Sequence, residues 1–148
     1  MPTRLTLLLF ALCFYLSTTT LKVFANANPL SELPHAVSNN AVAHVMIKNQ
    51  NYLISFSGLA SGKGYQDVHN RTYVYDVAEN KWSEKTAVPI KKPINGLTGR
   101  LASVATAIKE VAYVFGGYTV AKNHSEVSVP DVYAYDVLQD KFQALTPM

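Results

Sequence analysis

The sequence predicts an all-β protein made of two copies of a four-stranded antiparallel unit. Three observations carry this prediction. A pattern of apolar and aromatic residues recurs along the chain at an offset of roughly 60 residues. Short segments rich in Val, Ile and Tyr alternate with turn-forming residues, which is typical of strands. No segment beyond Ala27 has a convincing helical period.

The N-terminal segment, residues 1–27, has the pattern of a secretory signal peptide. Arg4 precedes a short, mostly apolar run from Leu5 to Leu16, small polar residues follow, and an Ala-x-Ala sequence ends at Ala27. We expect cleavage after Ala27 and export to the periplasm or the cell exterior. The alternative is a membrane anchor, but a spanning helix needs about 20 apolar residues and Lys22 interrupts the run.

Composition excludes several classes of function. The chain is 49% hydrophobic and 16% charged, which predicts a packed core. Two of the 13 Lys and Arg residues behind its net charge of +3, Arg4 and Lys22, lie in the predicted leader, so a nucleic-acid-binding role loses its main support. The single cysteine, Cys13, also lies there, which excludes an internal disulfide or a Cys-rich zinc site. We predict no metal, no cofactor and no stable membrane anchor.

The first element predicted after the leader is an isolated outer strand at Leu30 to Pro34. Its sequence, Leu-Ser-Glu-Leu-Pro, echoes the last strand of each repeated unit, as in Trp82-Ser83-Glu84 with Pro89 further on. In many proteins with radially arranged sheets, an N-terminal strand of this kind completes the last sheet and closes the ring. We therefore predict a closing strand at 30–34, within a folded region that covers residues 28–148.

The two repeated units are predicted at about residues 40–89 and about residues 100–148. The recurring residues are Tyr73, Tyr75, Asp76, Lys81 and Trp82 in the first unit, and Tyr133, Tyr135, Asp136, Lys141 and Phe142 in the second. Tight turns are predicted at 48–51, 78–80, 109–110 and 138–140. The aspartates at the entry to two of these turns are expected to cap the backbone rather than to bind a metal.

Radial stacking is the arrangement that the repeat favours. A four-stranded sheet with apolar strands cannot bury both of its faces alone, so it needs a neighbour on each side, as in a β-propeller. The alternative is a sandwich of two hairpins. Two units and one outer strand do not close a ring, which typically takes about four to eight units. We therefore expect an incomplete ring, either from a gene fragment or truncated frame or completed by several copies.

The spaced glycines and aromatic residues resemble the kelch repeat. In the second unit they are Gly116-Gly117 at the end of an apolar strand, Tyr133 after a variable loop, and Phe142. In the first unit they are Ser57-Gly58, Tyr73 and Trp82. Together with the leader, the short units are similar to secreted bacterial kelch proteins of the sialic acid mutarotase (N-acetylneuraminate epimerase) type. The resemblance implies a kelch-type β-propeller with two four-stranded blades.

The long loops are predicted to share one face of this propeller. In an up-and-down meander, the loops at 59–71, 89–100 and 118–131 lie at the same end of the blades, and long loops on a rigid scaffold commonly carry function. Arg100 precedes the innermost strand, and in kelch propellers arginines at this position line the ligand pocket. Its planar donors suit a carboxylate. We predict Arg100 and its repeat counterpart Asn40 as ligand-binding residues; the alternative for Arg100 is a solvated loop residue or a cap.

No catalytic residue can be assigned from the sequence. His44 lies in an apolar strand, where a core or channel-lining role is the commoner one. His69 with Asp67, and His124 with Glu126, could form acid–base pairs, but chance placement in polar loops explains them at least as well. No zinc motif, phosphate-binding glycine loop or nucleophile elbow occurs in the sequence.

Two functions therefore remain open. The first is an exported binding module that holds a protein or glycan, such as an anionic sugar, on its loop face. The second is a sugar mutarotase acting on sialic acid, which would need an arginine for the sugar carboxylate and an acid–base group near the anomeric centre. A copper enzyme resembling galactose oxidase would need a cysteine in the mature chain. Residues 28–148 contain none, which argues against such an enzyme. The sequence is compatible with a sugar mutarotase as well as with a binding module.

Overall fold

A computed structural model describes residues 29–148 of the chain. The predicted signal peptide and its cleavage site after Ala27 lie outside the described residues. The chain divides into two units, Met1–Leu30 and Ser31–Met148. Of the first unit only Pro29 and Leu30 are described, and both are exposed and belong to no strand. The following paragraphs concern the second unit.

The first half of this unit is one antiparallel sheet. Its strands are β1 (Val37–Ser38), β2 (Ala41–Ile47), β3 (Gln50–Ala60), β4 (Val68–Asp76) and β5 (Lys81–Lys85), and a short 3₁₀ turn, Tyr65–Asp67, precedes β4. Strands β2 to β5 pair in sequence order, and they are called blade one from here on. The short β1 pairs with the last residues of β3, beyond the point where the first residue of β2 pairs with Phe56.

The second half repeats this architecture. Its strands are β6 (Val104–Ile108), β7 (Val111–Phe115), β8 (Tyr118–Val120), β9 (Glu126–Ser128), β10 (Val132–Asp136) and β11 (Lys141–Ala144). Strands β6, β7, β10 and β11 form one sheet, called blade two, and β8 and β9 form a separate hairpin in the loop between β7 and β10. The sequence analysis did not predict this hairpin.

The predicted fold class is confirmed: the described residues are all-β, with no α-helix, and are consistent with a partial kelch β-propeller. All four strands of each blade are hydrogen-bonded into a single sheet, so the two-hairpin alternative is wrong. Among residues 29–148, no helix is long and apolar enough to cross a membrane.

Tight turns join the strands at the end of the blades away from the long loops. Lys48 and Asn49, with φ of 47° and 69°, form a two-residue connection between β2 and β3, where positive φ at both positions matches the twist of the strands. Asp76 accepts hydrogen bonds from the backbone N–H groups of Ala78 and Glu79. Asp136 accepts one from Gln139 in the same way. The predicted turn-capping role of both aspartates is confirmed.

The hydrophobic core lies between the two blades. Alternate residues of β2 are buried, and they belong to the same cluster as apolar side chains of β7 and β10. The buried residues that blade one contributes are Ala41, Ala43, Val45, Ile47, Tyr52, Ile54, Phe56 and Val74. Phe56 has no exposed surface, and its ring centroid lies 5.8 Å from that of Tyr135 and 6.0 Å from that of Phe142. Burying one such phenylalanine contributes about 1.5–3 kcal/mol.

The predicted closing strand at 30–34 is not formed as a strand in the structure. The backbone N–H of Ser31 donates to Asn80 Oδ1 at 2.9 Å, and the Ser31 carbonyl accepts the indole N–H of Trp82 at 3.0 Å. Side chains rather than a neighbouring strand therefore satisfy these backbone groups. Because Asn80 and Trp82 belong to the last turn and the last strand of blade one, the segment lies at the outer edge of that blade. A closing role for it stays a prediction.

The same contact recurs one blade further on. The backbone N–H of Thr86, which follows β5, donates to Asp140 Oδ1 at 2.9 Å, as Ser31 donates to Asn80. The hydroxyl of Tyr135 also donates to Asp140, at 2.8 Å, and Tyr75 donates likewise to Asn80. The segment that precedes each blade is therefore tied to the last turn of that blade by one acceptor side chain, which is Asn in blade one and Asp in blade two.

Asp140 makes this tie sensitive to acid. Burial tends to raise the pKa of Asp140, but the hydrogen bonds from Tyr135 and Thr86 outweigh it and lower the pKa below 3.8. Burial of the Tyr135 hydroxyl, and then its hydrogen bond to the Asp140 carboxylate, raise the pKa of Tyr135. A lowered pKa stabilises the fold above the unfolded-state pKa, and this stabilisation is lost as the pH falls through the folded-state value.

We expect Asp140→Asn to remove this acid sensitivity and keep the fold. An asparagine accepts the same two hydrogen bonds in blade one, so at neutral pH the free energy of unfolding should change by no more than about 1 kcal/mol. As the pH falls below about 4, the wild-type protein should lose stability relative to the variant. Urea unfolding at a series of pH values measures this. The converse change, Asn80→Asp, should increase the loss in acid; identical pH profiles for all three proteins would contradict the account.

Candidate functional site

The three long loops meet at one end of the blades, as the sequence predicted. An open cleft of about 570 Å³ is lined by Tyr65 from the first loop, Asn95 and Leu97 from the linker between the blades, and Ala121 to Asn123 from the loop that holds β8 and β9. One cleft therefore draws on all three segments. This end of the described unit is called the loop face.

A second recess lies beside this cleft. It is a groove of about 430 Å³ between the linker residues Lys91, Lys92 and Ile94 and the segment 128–133, with residues 144–147 along one side. Asn95 and Gly96, both at positive φ, form the tight turn that joins Ile94 to Leu97 and separates the two recesses. A small change in this turn would alter both recesses at once.

The linker is held against the start of β4 by backbone hydrogen bonds. The N–H of Val88 donates to the Asn70 carbonyl at 2.9 Å, and the N–H of Arg100 donates to the His69 carbonyl at 3.3 Å. Gly99 lies so close to this strand that a Cβ atom would sit 2.1 Å from the Val68 carbonyl oxygen. The linker can therefore reach the interior only because residue 99 has no side chain.

The diglycine of blade two and its counterpart in blade one share one backbone geometry. Ser57 and Gly58 have φ of 57° and 121°, and Gly116 and Gly117 have φ of 56° and 93°. In blade one this geometry forms the bulge between Phe56 and Gly58, and the Gly58 N–H donates to the Arg100 carbonyl at 3.0 Å. The glycine turn of one blade thus receives the linker that leads into the next blade.

Arg100 is the largest side chain that the core encloses. Only 2% of its surface is exposed, and its Nη1 donates to the Gly99 carbonyl at 2.9 Å. Its Nη2 lies 3.6 Å from Oδ2 of Asp131, whose side chain is one quarter exposed. Nε and Nη2 have no hydrogen-bond acceptor among the described residues. Charge pairing with Asp131 is therefore what compensates the burial of this guanidinium.

The surroundings of Arg100 leave little space for a ligand. The adjoining cavity measures about 10 Å³, about the room that one water molecule takes, and Ser57, Ser103, Asp131 and Tyr133 line it. Asp131 and Tyr133 also line the groove. The alternative that Arg100 is a solvated loop residue is wrong because the side chain is buried. Its ligand-binding role stays a prediction, and in this conformation Asp131 and Tyr133 lie between it and the groove.

Asn40, the second predicted ligand-binding residue, lies on the other side of the same glycine. Its Nδ2 donates to Ser55 Oγ at 2.8 Å, and its Cβ would be 3.1 Å from a Cβ at Gly58. The structure thus brings Asn40 and Arg100 together around Gly58. A ligand-binding role for Asn40 stays a prediction.

Neither predicted pair of a histidine and a carboxylate forms among residues 29–148, and His44 and His69 make local contacts instead. His44 Nε2 lies 2.8 Å from Asn51 Oδ1 on an exposed part of β2. His69 Nδ1 accepts the Arg71 N–H, while Asp67 accepts the N–H of Gly64. Burial, aided by the nearby Arg71 charge, lowers the pKa of His69. Within residues 29–148 no three His, Cys, Asp or Glu side chains come close enough together to hold a metal ion.

Two further residues of this region were missed in the sequence analysis. Asp131 pairs with Arg100, and Tyr133, identified from the sequence only as a recurring residue of the repeat, lines both the small cavity and the groove. Burial raises the pKa of Tyr133, and the Asp131 charge adds to this effect. The signal for Asp131 was its position directly before β10, which is the same reasoning that selected Arg100 before β6.

The loop face carries lysines that have no acidic partner. The one ion pair among residues 29–148 joins Arg100 to Asp131. Asp67 accepts a hydrogen bond from the backbone N–H of Gly64. The lysines that line the two recesses are Lys91, Lys92 and Lys122, and all three are exposed. This end of the molecule therefore offers unpaired positive charge beside two concave surfaces.

Comparison with known proteins supports the kelch resemblance for part of the chain. Residues 99–148, which include blade two and the end of the linker, match the family model of the Kelch motif. Together with the curled antiparallel sheets, the match is consistent with a kelch β-propeller, and it suggests a protein-interaction module. No curated protein matches the chain. The narrower resemblance to sialic acid mutarotases has no support from these comparisons.

We expect Arg100→Ala to destabilise the protein strongly. The change removes a buried ion pair and leaves a cavity, and about 3 kcal/mol of unfolding free energy should be lost, the lower end of the range for such pairs because Asp131 is partly exposed. Urea unfolding measures this loss. Lys122→Ala, an exposed change on the same loop face, should stay within about 0.5 kcal/mol. Equal stability of the two variants would mean that the guanidinium is not buried.

Proposed function

We propose that this chain is an exported kelch-type interaction module that binds an acidic segment of a partner protein on its loop face. The observation that carries the proposal is the set of exposed lysines beside the cleft and the groove, namely Lys91, Lys92 and Lys122. The match to the Kelch motif supports the coarser statement, an interaction module.

Charge at the loop face favours an anionic partner. Asp131 pairs with the buried Arg100 at 3.6 Å, and no ion pair joins it to a lysine among residues 29–148. Lys91 and Lys92 border the groove and Lys122 borders the cleft, which places positive charge at both recesses. Charges arranged in this way steer an oppositely charged partner and set its orientation more than they add affinity.

Shape and lining favour a peptide. The cleft combines Tyr65 and Leu97, which offer apolar contacts, with the amides of Asn95 and Asn123, which can donate to and accept from a peptide backbone. The groove is bounded by Ile94, Val129 and Pro130 and holds Asp131 at its inner end. A chain with acidic side chains and small apolar residues would match both recesses.

A glycan ligand remains the other form of this proposal, and an anionic sugar would use the same lysines. No observation on the described residues favours the sialic acid mutarotase alternative, because His69 with Asp67 and His124 with Glu126 form no hydrogen-bonded pair within residues 29–148. Export is proposed from the leader at residues 1–27, whose apolar run and Ala-x-Ala ending remain its support.

Titration with a synthetic peptide of alternating Glu and Ala, followed by calorimetry, tests the proposal. Lys122→Gln and the double variant Lys91→Gln/Lys92→Gln should each weaken binding, because an exposed pair is worth about 0.2–1 kcal/mol, or up to about fivefold in Kd. Binding should also weaken as salt is added. Lys109→Gln, at the opposite end of the blades in the turn between β6 and β7, is the matched control and should bind as the wild-type protein does.

Three results would contradict the proposed binding of an acidic protein segment on the loop face. If the peptide binds equally well to the wild-type protein and to both loop-face variants, the lysines do not form the site. If free sialic acid or a sialylated trisaccharide binds with dependence on Lys122 while the peptide does not bind, the ligand is a glycan. Binding of a Lys and Ala peptide with similar affinity would remove the argument from charge altogether.

A further inference from the structure

Each blade has two faces, and the structure pairs only one face of each. The aliphatic face of blade one contains Ala41, Val45 and Phe56, and it packs against the aromatic face of blade two, which contains Tyr135 and Phe142. The two outward faces are the aliphatic face of blade two and the inner part of the aromatic face of blade one. What could cover these outward faces follows from the pairing of the strands.

The outward face of blade two is the repeat counterpart of the buried face of blade one. In both blades the aspartate that ends the third strand fixes the register, because Asp76 pairs with Tyr52 and Asp136 pairs with Val111. Along the two first strands, Ala41 pairs with Phe56 and Val104 pairs with Phe115. The residues of blade one that pack against blade two therefore have counterparts, position by position, on the outward face of blade two.

Exposure differs sharply between these counterparts. Ala41 is 3% exposed, but its counterpart Val104 is 66% exposed. Val45 is fully buried, but its counterpart Ile108 is 59% exposed. The outward face also holds Val111, Tyr113 and Phe115, which are partly exposed. At its edge lies a groove of about 480 Å³ that Val111 and Ala134 share with polar residues of β10, β11 and the turn between them. An apolar surface of this kind commonly marks an interaction site.

The outward face of blade one is the counterpart of the surface that blade two uses. Val42 pairs with Ser55 and His44 with Leu53, as Ala105 pairs with Val114 and Ala107 with Ala112 in blade two. Ala105 and Ala107 pack against the core between the blades, whereas Val42 and Met46 are exposed. The outer part of this face is covered by the segment around Ser31, just as the segment around Thr86 is tied to blade two. The inner part is open.

A backbone donor completes the match. The Gly58 N–H of blade one donates to the carbonyl of Arg100, in the linker that leads into blade two. The counterpart of Gly58 in the diglycine of blade two is Gly117, whose N–H has no acceptor among residues 29–148. In this register Ser38 pairs with Leu59 as Leu101 pairs with Tyr118, so the counterpart of Arg100 is Val37, at the entrance to blade one. A second blade one, placed beyond blade two, would bring a Val37 carbonyl to this donor.

We propose that copies of this chain assemble head to tail, with the outward face of blade two in one copy packed on the outward face of blade one in the next. The new interface repeats the one already present between the two blades, with Val104, Ile108 and Phe115 of one copy facing Val42 and Met46 of the next. Because the two faces differ, the contact closes into a ring when the rotation allows it. Rings of about four to eight blades correspond to about two to four copies. This proposal is independent of the ligand proposed above.

Sedimentation of the full chain tests the assembly, with the N-terminus of the material determined by mass spectrometry so that processing after Ala27 is known. The wild-type protein should sediment as one species of two to four copies, by the ring argument. Ile108→Asp and Met46→Asp each place a charge in one of the two faces, and each variant alone should sediment as a single chain. Both side chains are exposed within the chain, so circular dichroism should show that both variants are folded.

Mixing the two variants distinguishes a head-to-tail contact from a symmetric one. Ile108→Asp retains an intact face on blade one, and Met46→Asp retains an intact face on blade two, so an equimolar mixture should form a dimer and nothing larger. Leu138→Asp changes an equally exposed residue in the turn between β10 and β11, outside both faces, and should assemble as the wild-type protein does.

Four results would overturn the proposal. They are a wild-type protein that is a single chain, a wild-type protein whose blade faces are covered by another protein in fixed ratio, assembly of either single variant alone, and a mixture of the two variants that stays monomeric. Assembly of Met46→Asp alone would show in particular that like faces pair with like.

Discussion

The packing of one sheet on the next, centred on Phe56, is the interaction on which the rest of the described structure depends. Phe56 is fully buried, and the rings of Tyr135 and Phe142 approach it from blade two with interplanar angles of 89° and 65°. Edge-on aromatic contacts of this kind contribute about 0.5–1.5 kcal/mol beyond the burial of their area. Since each blade is a single sheet that cannot bury its own faces, this contact turns two sheets into one core.

The candidate site is a consequence of the same packing. The linker has to run from the outer strand of blade one back to the inner strand of blade two, and it crosses the start of β4, where Gly99 allows the close approach. This path buries Arg100 between the blades and places Lys91, Lys92 and Asn95 at the surface. The buried Arg100 therefore fixes the end of the linker between the blades, and the exposed lysines of the same linker remain available to a partner.

The sequence predicted the repeat, the four strands of each blade and the capping turns, because these features depend on local periodicity and turn chemistry. Asp76 and Asp136 illustrate this, since an aspartate at a turn entrance caps the backbone two or three residues on. The burial of Arg100 and its pairing with Asp131 were not predicted, because the two residues are far apart in sequence and meet only when two loops fold together. The segment at 30–34 was predicted as a strand from its likeness to Trp82-Ser83-Glu84, but strand formation requires a paired edge, and side chains satisfy Ser31 instead.

A double-mutant cycle between Phe56 and Phe142 tests most directly the claim that the blades pack face to face. The single variants Phe56→Leu and Phe142→Leu and the double variant are unfolded in urea at one fixed protein concentration. The account predicts a coupling free energy of about 0.5–1.5 kcal/mol across the two blades. As a control, Phe142 and Trp82 lie on separate blades and make no ring contact with each other. The losses of unfolding free energy caused by Phe142→Leu and Trp82→Leu should therefore be additive. Additivity of Phe56→Leu and Phe142→Leu to within about 0.3 kcal/mol would contradict the account.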